Sequence, residues 1–103
     1  MPEPAPMPDD CTTMAMVRAG VDATDAELFT LLERRFAYMR AAARIKTSRD
    51  AVRDEARKAA VIANARRRAG EAGLPVESLS AMWDLLVETS IAYELAAWDR
   101  LNP

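Results

Sequence analysis

The chain has 103 residues and a formal net charge of −2, from 14 basic and 16 acidic side chains. That length fits one domain, and acids and bases are interspersed, which excludes a general nucleic-acid binder with its one-sided basic excess. Histidine is absent and Cys11 is the single cysteine. An internal disulfide, a zinc finger, a histidine-based metal site and a Ser-His or Cys-His nucleophile are therefore excluded.

Half the residues are hydrophobic, but only 6% are aromatic. Alanine, leucine, arginine and glutamate dominate, and these are strong helix formers. No stretch alternates apolar and polar residues as a half-buried strand does. An all-α fold is expected. Residues 1–11, rich in proline and acid, read as a flexible arm. The arm resembles neither a signal peptide nor a membrane span, so a cytoplasmic location and no membrane partner are expected. Residues 12–103 form the expected helical domain.

Thr12 or Thr13 can cap a helix that runs from residue 14 to about residue 46. Met14, Val17, Val21, Leu28, Leu31 or Leu32, Met39, Ala42 and Ile45 follow each other mainly at spacings of three and four, which makes a narrow apolar seam. At 1.5 Å per residue this helix is roughly 50 Å long. The segment from Thr47 to about Arg53 reads as a loop. A second helix is expected from about Asp54 to Glu71, with Val61 and Ile62 as its main apolar contacts. Gly70, Gly73 and Leu74-Pro75 supply its stop. The run Arg66, Arg67, Arg68 reads as a solvated face near a helix C-terminus. A third helix starts near Val76 or Glu77 and ends near Leu101, with a seam of Leu79, Trp83, Leu86, Ser90, Glu94, Ala97 and Leu101. One subunit cannot cover the long seam of the first helix, so a homodimer in which two long helices pair is expected.

Several polar residues need an account. Arg35 and Lys46 point within about 20° of each other on an ideal helix, roughly 16 Å apart, and both are long enough to grip one small anion. Arg18 is turned about 100° away from Arg35 and so suits a partner's site better than its own. Ser90 and Glu94 share one face of the third helix. A carboxylate on an apolar seam is costly unless it is paired, neutral or hydrogen-bonded. A salt bridge to an arginine of the first helix, a rotated seam that leaves Glu94 on the surface, and a functional site all satisfy that requirement. Two classes of function compete on these grounds: a helical interaction module whose seam charges set pairing, and an enzyme or binder with an anion pocket between helices.

The string Val21-Asp22-x-x-Asp25-x-Glu27-Leu28-x-x-Leu31-Leu32-x-x-Arg35, with Arg18 before it and Lys46 after it, resembles the all-α (AroQ) class of chorismate mutases. Val52-Arg53-Asp54-x-x-Arg57, Gly73-Leu74 and Ser90-x-x-x-Glu94 extend the resemblance over nearly the whole chain beyond the arm. The resemblance implies an intertwined dimer of three-helix subunits and a small dicarboxylate substrate, chorismate or isochorismate. It implies that Arg35, Lys46 and Arg57 line a site together with the partner's Arg18, and that Asp54, Ser90 and Glu94 complete it. The reaction is a rearrangement within one molecule and needs no metal, cofactor or nucleophile. Its demands are a substrate frozen in a reactive shape and stabilisation of charge on the breaking ether oxygen. Lys46, Glu94 and Arg35 would be the catalytic groups, Glu94 donating a hydrogen bond only when protonated.

The chain departs from the commoner pattern at Glu94, where that pattern has glutamine although some relatives also carry glutamate, and at Lys58, which is expected to add positive charge near the pocket. A second branch of the family is an isochorismate pyruvate-lyase. Asp10-Cys11-Thr12, Ala41-Ala42-x-Arg44-x-Lys46 and Ile91-Ala92-x-Glu94 with Trp98 resemble that branch, whereas Asp54 and Ser90 resemble the mutase. Mutase activity is the favoured expectation.

Overall fold

A computed structural model describes residues 5–103; residues 1–4 of the expected arm lie outside the described residues. It contains three α-helices, α1 (Met14–Ile45), α2 (Glu55–Glu71) and α3 (Val76–Leu101), and two short 3-10 turns, Pro8–Asp10 and Arg49–Ala51. There is no strand among the described residues. None of these helices is long and apolar enough to cross a membrane. The chain divides between Arg35 and Phe36 into two compact units.

In the first unit, part of the expected arm is hydrogen-bonded. Pro8, with its fixed φ, opens a 3-10 turn in which Asp10 N–H donates to Met7 O at 3.0 Å and Cys11 N–H to Pro8 O at 3.2 Å. Of the two candidate caps, Thr13 is used: its Oγ1 accepts from Met16 N–H at 3.2 Å. The apolar seam is present but uncovered, with Met14 at 59% exposure, Val21 and Leu28 at 52% and Leu31 at 51%. Those values leave a stripe of apolar surface facing water over several turns, a surface that a folded chain ordinarily buries.

The second unit holds the core. Val52, Val87 and Ile91 are buried together, and Val61, Ile62, Leu95 and Trp98 pack against them. The expected role of Val61 and Ile62 is met, joined by the small buried residues Ala65 and Ala69 on the same helix. The third-helix seam differs from expectation. Ser90, Glu94 and Ala97 are buried, but so are Val87 and Ile91, while Leu101 is 55% exposed. The buried arc is therefore wider than a three-four stripe and fades toward the C-terminus. The segment between α1 and α2 was expected to be a plain loop. It instead carries the turn Arg49–Ala51 and sends Val52 into the core at 4% exposure.

α2 stops through a Schellman arrangement. Leu74 N–H donates to Ala69 O at 2.8 Å and Gly73 N–H to Gly70 O at 3.2 Å. Gly73 sits at φ +70, the left-handed region that disfavours a side chain, whereas Gly70 is inside the helix and is not itself the stop. The arginine run is largely solvated, with Arg66 reaching Glu77 at 2.6 Å and Arg67 reaching Glu71 at 3.0 Å.

Candidate active site

Lys46 directly follows α1, and its N–H still donates to Ala42 O at 2.9 Å, so the helical direction carries through to it. Its Nζ donates to Glu94 Oε2 on α3 at 2.7 Å and lies 3.4 Å from Val52 O. Glu94 is 4% exposed. A carboxylate removed from water to that degree needs a charged partner at close range, and Lys46 supplies it. Of the three readings of Glu94, an ion pair is present, but its partner is a lysine beyond the end of the first helix rather than an arginine within it. The backbone of Lys46 is held as well, because Trp98 Nε1 donates to Lys46 O at 3.1 Å.

Ser90 lies one turn before Glu94, at 3% exposure, with Oγ donating to Leu86 O at 2.6 Å. The hydroxyl proton is thereby turned to its own helix, a local bond that serine often makes. Asp54 is the N-cap of α2, its Oδ1 accepting from Arg57 N–H at 2.9 Å. Asp54 and Arg57 thus meet through cap and first turn, both on exposed positions. Of the site expected from sequence, this unit brings Lys46 and Glu94 into contact, sets Ser90 on the buried face of Glu94, and places Asp54 and Arg57 together at one helix start. Arg18 and Arg35 are on α1 in the other unit, Arg18 exposed and Arg35 half-buried and engaged.

Lys58 corrects a second expectation. It adds no uncompensated charge, because Nζ contacts Glu88 at 2.8 Å and Asp84 at 3.1 Å. Glu88 also receives Arg53, whose guanidinium makes two bonds to it at 2.8 and 3.1 Å. The hydrogen bonds from Arg53 and then Lys58 hold the Glu88 carboxyl down at about 2. Glu88 in turn raises Arg53 and Lys58 above their ordinary values. Further along α3, Asp99 takes Arg49 in a bidentate pair at 2.9 and 3.3 Å. These clamps on the α1–α2 connection and the start of α2, and the Trp98 bond, were missed in the sequence. Their partners lie 26 to 52 residues apart, beyond the reach of any periodicity.

Grooves open on this unit. One of about 460 Å³ lies where α2 meets α3, lined by Ala65, Ala69, Leu74, Leu79 and Trp83 among others. A smaller one, about 190 Å³, is lined by Arg40, Arg44, Ala97, Arg100 and Leu101. Neither is lined by Lys46 or Glu94, so the pocket expected around those residues is not one of them.

Chemically, the buried cluster offers a fixed ammonium and a carboxylate that changes from acceptor to donor when protonated, with a serine hydroxyl one turn away. It suits stabilisation of charge on an oxygen, and contains no activated nucleophile. The sequence pattern described as chorismate mutase type II matches residues 17–95. The chain is also 32% identical over 91 residues to an isochorismate pyruvate lyase of Pseudomonas aeruginosa, covering 88% of this chain and 90% of that protein.

Proposed function

We propose that this chain, which belongs to the chorismate mutase type II family, rearranges chorismate to prephenate. The observation that carries the reading is the Lys46–Glu94 contact of 2.7 Å, buried on α3 beside Ser90. A one-step rearrangement asks for a positive group at the ether oxygen as its bond breaks, and a lysine whose backbone is already held by Trp98 supplies it with only its side chain to turn. Lys46 turns its Nζ from Glu94 toward the ether oxygen. Glu94 gives that oxygen a second hydrogen bond only in its carboxylic acid form, since a carboxylate has no proton to donate. Arg35, Arg57 and the partner's Arg18 take the two carboxylates and hold the substrate compact, which lowers the entropic part of the barrier. Asp54 and Ser90 meet its hydroxyl or carboxylate groups. The assembly is a homodimer, in which the exposed seam of α1 is covered by a second copy.

A second reading has its own support. The relative at 32% identity is named for lyase action on isochorismate. Elimination of pyruvate from isochorismate breaks the same kind of ether bond, so the same lysine serves it. Purified protein incubated separately with chorismate and isochorismate decides between them. Prephenate formation supports the mutase, salicylate with pyruvate supports the lyase, and turnover of neither substrate removes both.

A further inference from the structure

We propose that Trp98 is a positioning residue for Lys46, fixing the ammonium that the reading above places at the reacting oxygen; the inference rests on that reading. Trp98 follows Glu94 by one turn of α3, so the two side chains leave the helix on the same side. Its Nε1 donates to the carbonyl of Lys46 at 3.1 Å, and the indole packs against the core cluster that contains Val52. Val52 O, in turn, lies 3.4 Å from Lys46 Nζ. One ring therefore secures Lys46 from two directions: directly at its backbone, and indirectly through the cluster that seats the Val52 carbonyl.

The need for such a device follows from the position of Lys46. It stands beyond the last residue of α1, where the helix no longer offers its carbonyl an internal partner. A chain end of this kind frays, and a lysine carries four rotatable bonds beyond it. A partly buried N–H donor at the Lys46 carbonyl satisfies the orphan acceptor and opposes the fraying. The next residue on α3 adds to the hold, since Asp99 takes Arg49 bidentately three residues further along the same segment. Trp98 itself touches no reacting atom in this scheme, and acts only through Lys46.

The test uses Trp98→Phe, which keeps a packed ring and removes the N–H. Two readouts are taken on the full chain. In turnover, kcat falls by about tenfold or more while KM changes little, because a charge held for the transition state is what is lost. In brief acylation with acetic anhydride, read by mass spectrometry, Lys46 labels several-fold faster, while Lys58, the only other lysine, labels as before. Wild-type values in both readouts overturn the proposal. If Lys46 labelling rises but neither wild type nor variant turns over chorismate or isochorismate, the positioning role stands and the catalytic reading falls. For the case in which the variant does not fold, the wild-type protein answers alone. With ¹⁵N-labelled tryptophan, slow solvent exchange of the Trp98 indole proton supports the bond to Lys46, and exchange at the rate of free indole removes it.

Discussion

Lys46 Nζ and Glu94 Oε2 are 2.7 Å apart, joining the end of α1 to the middle of α3 across 48 residues of sequence. The glutamate side chain is 6% exposed and the lysine 28%. The pair has two consequences of opposite sign. It stabilises the fold around a buried carboxylate, and it lets an ionised Glu94 offset the positive charge that the proposed reaction needs.

Glu94→Gln separates these effects in catalysis. The amide donates a hydrogen bond at every pH and carries no charge to oppose Lys46. The glutamine variant is therefore expected to turn over substrate at least as fast as the wild type, measured as kcat and kcat/KM on the full chain. A glutamine variant that loses most of its turnover would remove the donor role assigned to residue 94.

Lys46→Met addresses stability. It leaves Glu94 buried without its cation and should cost about 3 kcal/mol in urea denaturation. The double variant Lys46→Met with Glu94→Leu should regain most of that loss, because the uncompensated charge is gone. A double variant no more stable than the single would show that the pair is not what holds this end of α3.

At Asp54, cap and substrate contact can be told apart. Asp54→Ala removes the bond from Arg57 N–H and should cost about 1 kcal/mol of stability. Asp54→Asn keeps a good cap and should leave the melting temperature nearly unchanged. Loss of turnover in the asparagine variant then reports a substrate contact, measured as kcat/KM against the melting control.

Glu88 sets the acid limit of the α1–α2 connection. Its carboxyl titrates at about 2 rather than at its ordinary 4.5, through the hydrogen bonds of Arg53 and Lys58. A lowered folded-state value stabilises the fold fully above the unfolded value, and that contribution is lost as pH falls through the folded value. Urea midpoints of the wild type should therefore drop more steeply between pH 4.5 and 2 than those of Glu88→Gln. Parallel slopes would show that the clamp contributes nothing to folding.

The helices are legible in the chain's local pattern. Thr13, Asp54 and Gly73 mark their ends, and helix-forming composition with three-four spacing fills them; capping, left-handed glycine and periodicity act within a few residues and so are legible in order along the chain. The candidate residues Lys46, Ser90 and Glu94 were legible too, because a polar pair on an apolar seam stands out against its neighbours. Only the tertiary structure decided their partners. Glu94 takes Lys46 rather than an arginine, Lys58 is bound by Glu88 and Asp84, and Trp98 closes on the Lys46 carbonyl. Those choices depend on how α3 lies against the connection between α1 and α2. Side chains distant in sequence meet there through packing, and local pattern carries no information about which of several like-charged residues arrives first.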